Sequence, residues 1–180
     1  MKVKSVFILL AGVCIFSIGN GSALFAADYD NEVQAKKISF AWKVDGDTLA
    51  VKMSAQTKGW VGIGFNPSKK MKDADFVLGY VKDGKAKIID EFGSGMTKHT
   101  SDKKLDGTVD ATLVAGSEKD GVTTIEFTMP LKSADKHDTV FDIDGDTVVL
   151  LAYGPDRDSF KTKHKYRTTV KVNLATGASE

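Results

Sequence analysis

The stretch ISFAWKVDGDTLAVKM, residues 38–53, decides the fold. Its first half places Ile38, Phe40, Trp42 and Val44 at alternate positions, and its second half does the same with Leu49, Val51 and Met53. A period of two is the side-chain repeat of an extended strand, because successive Cβ atoms point to opposite faces; a helix needs apolar residues at a repeat of 3.6. Between the halves, Asp45-Gly46-Asp47 supplies a glycine free to take positive φ, flanked by short acceptor side chains, which is the chemistry of a tight hairpin turn. The stretch is an antiparallel ribbon with one apolar face, and that face must be covered by a second layer.

The same pattern continues outward. Trp60 to Phe65, Phe76 to Val81, Lys87 to Phe92, Thr108 to Val114, Val122 to Met129, Thr147 to Tyr153 and Tyr166 to Leu174 read as strands. Asp83-Gly84, Asp120-Gly121 and Asp144-Gly145 supply turns. Runs at this spacing predict an all-β domain, an antiparallel β-sandwich or barrel of about 9–11 strands. Helix is expected only in short turns near 67–72 and 156–163, and the polar stretch 93–107 is expected to be the longest loop.

The chain has 180 residues, one domain's worth, with 25 Lys+Arg against 24 Asp+Glu. A net charge of +1 gives no electrostatic basis for nucleic-acid binding. Apolar residues at 42% and charged residues at 27% exclude wholesale disorder. One cysteine, Cys14, excludes a disulfide framework, a cysteine-rich zinc site and a cysteine-ligated iron–sulfur cluster within the chain. Residues 1–27 read as a secretory signal peptide: Lys2 and Lys4, then the apolar run Val6 to Ile18, then small residues ending in Ala26-Ala27. That run is shorter than the roughly 20 residues of a spanning helix. Residues 28–180 then form a single domain, without a thiol and without a membrane span, in the periplasm or outside the cell.

Nucleophile elbow, phosphate loop and paired-histidine zinc motif are all missing from the sequence. No catalytic constellation is visible, so any reaction is expected to belong to a partner. His99, His137 and His164 lie far apart. Asp142-Ile143-Asp144-Gly145-Asp146 begins like a calcium loop but lacks the final acidic ligand and the flanking helices, and reads as a hairpin turn. Two segments carry more. Gly59-Trp60-Val61-Gly62-Ile63-Gly64-Phe65 sets three glycines in and beside one strand, where a flat or bulky group would approach the backbone; Met71 follows among lysines. Leu150-Leu151-Ala152-Tyr153-Gly154 ends in glycine, and the loop after it presents His164.

The ordered set Trp42, Gly46-Asp47, Gly59 to Phe65, Met71, Ala74-Asp75, Gly79-Tyr80-Val81, Asp90, Phe92, Gly121-Val122-Thr123, Phe127, Pro130-Leu131, Ala152-Tyr153-Gly154 and His164 resembles the DOMON domain family, over about residues 36–168. The resemblance implies an immunoglobulin-like antiparallel β-sandwich that binds haem or sugar. The haem-binding branch includes the cytochrome domain of cellobiose dehydrogenase, and its axial methionine and histidine match Met71 and His164 here. Carried over, they imply haem b as cofactor, iron as the metal, and electron transfer to or from a redox partner protein. Gly62, Gly64, Phe65 and Tyr153 are the expected surroundings of the cofactor, with Phe76, Tyr80 and Tyr166 as further candidate walls. Met with His is a pair that raises the reduction potential. Met96 and His99 offer a second such pair. A haem-free module for a carbohydrate or another small ligand, and a copper carrier using Met71, Met96, His99 and His164, are the other readings. Lys69, Lys70 and Lys72 flank Met71, and Lys161, Lys163, Lys165 and Arg167 flank His164, a cationic collar suited to an acidic partner. Mass spectrometry of the exported protein should give an N-terminus near Asp28; a full-length species retained in membranes would contradict the signal-peptide reading.

Overall fold

The computed structural model describes residues 28–180, so the signal-peptide expectation for residues 1–27 lies outside the described residues. Eleven strands follow in chain order: β1 (Asn31–Ala35), β2 (Ile38–Asp45), β3 (Thr48–Ala55), β4 (Val61–Phe65), β5 (Asp75–Lys82), β6 (Lys85–Gly95), β7 (Lys98–Ser101), β8 (Thr112–Lys119), β9 (Val122–Pro130), β10 (Asp146–Tyr153) and β11 (Tyr166–Asn173). They make two antiparallel sheets, ordered β1-β2-β3-β9-β8 and β11-β10-β4-β5-β6-β7. The expected all-β sandwich is therefore observed.

The alternation in residues 38–53 sets the first sheet's inner face. The β2–β3 register puts Trp42 opposite Val51 and Phe40 opposite Met53. The β3–β9 register continues that row to Phe127 and Ile125. All six are fully buried. Phe40 stacks on Trp42 at 4.7 Å between ring centroids and meets Phe65 of the other sheet edge-on at 6.2 Å. Trp42 Nε1 donates to the Leu174 carbonyl at 2.9 Å, so the large ring is buried without stranding its polar atom.

The second sheet differs because it is covered on two sides. β4 is buried along its full length, and β5 along most of its own. Val61, Ile63, Phe65, Val77, Val149 and Leu151 face the first sheet. Trp60, Ala74, Phe76 and Leu78 form a second apolar cluster with Leu150, Ala152 and Phe160 on the outer side. A sheet buried on both faces loses simple alternation and reads as a nearly continuous apolar run, as GWVGIGF does.

Several expectations are corrected locally. The stretch 93–107 is not a plain loop. β6 runs on to Gly95, β7 pairs with it, and a 3-10 turn occupies Asp102–Leu105. Residues 67–72 form turns in place of helix, with Lys70 at φ 57° and Asp73 just after them at φ 62°, and 156–163 also form turns. β8 begins at Thr112, later than expected, because the Asp110 and Ala111 N–H groups donate to Asp90 Oδ2 at 2.9 and 3.1 Å instead of to a neighbouring strand. β1 was not anticipated. At the β11 edge the chain folds back: Glu180 and Lys171 exchange two backbone hydrogen bonds of 2.9 Å, and Asn173 N–H donates to Ala178. No helix among the described residues is long and apolar enough to cross a membrane.

Truncation of Phe40 to Ala should destabilise the domain by about 3–5 kcal/mol, the range for a large aromatic in a packed core. Trp42→Phe should cost about 1–3 kcal/mol by leaving the buried Leu174 carbonyl without its donor. Urea unfolding of both variants checks the two values.

Candidate functional site

The outer face of the second sheet carries a cavity of about 820 Å3. Its floor is Gly62, Leu78, Leu150 and Ala152 on β4, β5 and β10, with Trp60, Phe76 and Phe160 among its apolar walls. Met71, Met96, His99 and His164 all line it, and so do Lys70, Lys161, Lys163 and Arg167. An apolar interior carrying a few soft or basic groups is the usual make-up of a small-molecule or cofactor pocket.

Met71 is half-buried and is placed by a turn docked on β6. Asp73 N–H donates to the Gly93 carbonyl, and Gly93 N–H donates to that of Ala74, both at 2.8 Å. A Cβ at Gly93 would lie 1.8 Å from the Met71 carbonyl oxygen, so only glycine lets the turn come this close. His164 is placed by the loop after β10. Trp60 Nε1 donates to Thr162 Oγ1 at 3.0 Å, Thr57 Oγ1 to the Gly154 carbonyl at 2.9 Å, and Lys165 N–H to the Tyr153 carbonyl at 2.8 Å. His164 Nε2 lies 3.5 Å from Arg167 Nη1. Partial burial, followed by the Arg167 guanidinium, lowers the pKa of the imidazole below its ordinary value. The ring is thereby kept as the neutral base that can bind a metal.

The other expected residues divide by strand alternation. Gly62 lines the cavity. Gly64 shares its face, but a Cβ there would lie 2.3 Å from the Phe76 ring, so the flat group against this backbone is the chain's own phenyl ring. Phe65 points the opposite way, fully buried between the sheets and edge-on to Phe141 at 5.1 Å. Tyr153 likewise belongs to the inter-sheet core and stacks on Tyr166 at 5.5 Å. Tyr80 packs on Phe160 at 4.6 Å, behind the wall. Leu78 and Phe160 line the cavity without having been singled out. Leu78 could have been found, since it shares a strand face with Phe76 in the mostly apolar run Phe76 to Val81. Phe160 sits in a polar loop and gave no periodic signal.

His99 bonds through Nδ1 to Glu91, which leaves Nε2 as its free nitrogen, and packs beside Phe76 at 5.6 Å. His137 lies away from the cavity, 4.9 Å from the Phe92 ring and 3.3 Å from Asp135 Oδ1. Of the seven cations expected to form a collar, four line the cavity. Lys72 instead pairs with Asp73 at 3.5 Å on the surface.

The DOMON domain family profile matches residues 34–154, a span that contains Met71 and stops before His164. DBH-like monooxygenase protein 2 of Mus musculus is 32% identical over 129 residues, which cover 68% of this chain and 19% of that protein. DBH-like monooxygenase protein 1 of Homo sapiens is 32% identical over 117 residues, covering 65% of this chain and 18% of that protein. The chain thus spans about a fifth of the length of these curated relatives. Among solved structures, the cytochrome b domain of pyranose dehydrogenase from Coprinopsis cinerea superposes with a TM-score of 0.61 at 11% identity, covering 78% of each chain. The cytochrome domain of Myriococcum thermophilum cellobiose dehydrogenase gives 0.56 at 12% identity, covering 78% of this chain and 76% of that one. At such identities the two superpositions establish a shared fold. With the profile match running from β1 to the end of β10, the chain belongs to the DOMON domain family.

Proposed function

We propose that this domain is an exported b-type cytochrome, in which Met71 and His164 hold haem iron within the cavity and from which electrons pass to or from a redox partner protein. One observation carries the reading: two loops far apart in sequence, after β4 and after β10, bring a thioether and a neutral imidazole to the same apolar cavity. The residues present fit the group. A cavity of about 820 Å3 lies within the range of cofactor sites, roughly 300–1,000 Å3. Its apolar floor suits a macrocycle, and the donor set is one that ligates haem. When bound, haem supplies a one-electron iron couple. The chain's own part is to orient the two ligands, exclude water with Trp60, Phe76 and Phe160, and present Lys70, Lys161, Lys163 and Arg167 to the acidic propionates or to an acidic partner. The monooxygenase named for the curated relatives describes those whole proteins, of which this chain matches about a fifth.

Met96 and His99 support a second reading, because they line the same cavity and bring its soft and imidazole donors to four, a set that also suits copper. Absorption spectra of protein produced with haem available separate the readings. The wild type should show a low-spin spectrum, Met71→Ala a changed spin state, and His164→Ala a loss of most bound haem. If both variants keep the wild-type spectrum while Met96→Ala or His99→Ala does not, the second pair holds the iron. No Soret band in the wild type would leave copper or a small organic ligand, such as a carbohydrate, as the occupant.

The cationic rim predicts a preference for an acidic partner. Electron-transfer rates to an acidic carrier protein should be fast and fall with salt, and those to a basic carrier should be slow and rise. Steering of this kind changes association by roughly 10–1,000-fold. Lys70→Glu with Lys163→Glu should reverse the preference without altering the haem spectrum. Equal rates for both carriers, flat in salt, would remove the role of the rim.

A further inference from the structure

The outer face of the first sheet carries a groove of about 510 Å3, on the side of the sandwich away from the cavity of the second sheet. Strand register explains its shape. Gln34 of β1 stands opposite Ser39 of β2, Ser39 opposite Ser54 of β3, and Ser54 opposite Thr124 of β9. Alternation turns this row away from the buried Phe40 and Met53. Short hydroxyl side chains therefore lie in the middle of the row, and the longer Gln34, Lys36, Lys37 and Gln56 rise around them as walls. The walls are held in place. Lys36 sits in the β1–β2 turn at φ 57°. Gln34 Nε2 donates to the Lys36 and Ile38 carbonyls at 2.7 and 3.2 Å, which ties that turn to β1. Gln56 N–H donates to the Lys37 carbonyl at 3.0 Å. Lys36 Nζ stands 6.0 Å from the centroid of the Tyr166 ring, an aromatic face that keeps the ammonium at the rim.

Donors are left over inside these walls. Ser54 Oγ and Thr124 Oγ1 bond to each other at 2.7 Å. Ser39 is 8% exposed and lines the groove, yet among the described residues its hydroxyl has no partner. A polar side chain buried to that degree normally finds one. Gln56 Nε2 spends one of its two hydrogens on the Gly121 carbonyl at 3.2 Å and keeps the other. Among the described residues, neither Lys36 nor Lys37 takes part in an ion pair. No carboxylate lines the groove. Lys119, opposite Val122 in the β8–β9 hairpin, adds a third cation to the same face.

We propose that this groove binds a phosphate group, carried by the headgroup of an anionic phospholipid or by a free phosphate ester. A phosphate presents three strong acceptor oxygens about one centre, so it can accept from the Lys36 and Lys37 ammonium groups, the Ser39 hydroxyl and the Gln56 amide at once. A carboxylate, with two oxygens, leaves part of this donor set unused. Lysine serves phosphate as a point charge and needs no planar fork. The groove is larger than a bare phosphate ion and leaves room for the carbon skeleton attached to it. The site does not depend on what the cavity of the second sheet holds. It does bear on how that cavity is presented: a domain held by this face against a bilayer turns the outer face of the second sheet, with the mouth of the cavity, away from the lipid.

The test has two arms. Calorimetry measures binding of inorganic phosphate and of glycerol 3-phosphate to the purified protein. Co-sedimentation compares vesicles of phosphatidylglycerol with vesicles of phosphatidylcholine. The protein should bind the phosphates saturably, or sediment with phosphatidylglycerol and not with phosphatidylcholine. Lys36→Gln with Lys37→Gln should weaken binding by roughly fivefold for each lysine removed. Ser39→Ala should weaken it by about tenfold, a loss that diffuse charge attraction does not produce. Both lysines are exposed, so the lysine pair decides if Ser39→Ala fails to fold. Vesicle binding weakened by these variants assigns the site to a headgroup, and binding of the soluble phosphates alone assigns it to a free ester. No binding of phosphate, glycerol 3-phosphate or phosphatidylglycerol vesicles would overturn the proposal. Vesicle binding that survives the groove variants and is lost in Lys70→Glu with Lys163→Glu would overturn it as well, and place the contact at the cavity rim. Binding of wild-type strength in the lysine pair and in Ser39→Ala would remove the groove as the site.

Discussion

The burial of β4 on both faces is the constraint on which the rest of the structure depends. One face gives Val61, Ile63 and Phe65 to the contact between the sheets; the other gives Trp60, Gly62 and Gly64 to the outer cluster and the cavity. A strand so placed cannot carry large side chains on both sides and still admit a ligand. The outer face therefore has glycine at 62 and 64, and the room above them is filled by Phe76 and Leu78 of β5 and by the cavity itself. Trp60 closes the arrangement by packing against Gly154, where a Cβ would lie 2.2 Å from the indole nitrogen, and by anchoring Thr162 in the loop that carries His164.

Much of this was legible in the sequence, and the legible part is what strand periodicity controls. The alternation of Ile38, Phe40 and Trp42 against Leu49, Val51 and Met53 gives the register seen between β2 and β3. Met71 and His164 were named from a family resemblance, and they line one cavity. Phe65 and Tyr153 were expected beside the cofactor and serve the inter-sheet core, because alternation sends them to the face opposite Gly62 and Gly64. Phe160 was invisible because a turn gives no periodic signal. The late start of β8 was invisible for a different reason: it depends on Asp90, about twenty residues earlier, accepting the N–H groups that a strand would otherwise use. Contacts of that kind arise from tertiary structure and leave no local pattern.

Strand β6 separates two electrostatic environments. On one side, His99 and Glu91 stand at a cavity whose rim is cationic. On the other, Asp90 faces buried carboxylates. A near-zero total charge, 25 basic against 24 acidic residues, conceals this division, since composition sums the two sides. Net charge speaks to solubility and to non-specific association; the local field decides what each face can hold.

The fold-back of 178–180 on β11 has a consequence for how the domain behaves in a crowded solution. An open outer strand offers a row of free N–H and C=O groups to any extended chain that drifts past, which is how sheets join edge to edge and begin to aggregate. Here the Lys171–Glu180 and Asn173–Ala178 backbone bonds occupy the C-terminal end of that row, and Lys171 also pairs with Asp146 and Glu180 through its side chain. At the opposite border of the same sheet, β7 is only four residues long and begins with a lysine. One border is shortened by the chain itself and the other is too short to template a partner, so the sheet that carries the cavity offers little length for growing sideways into a fibre.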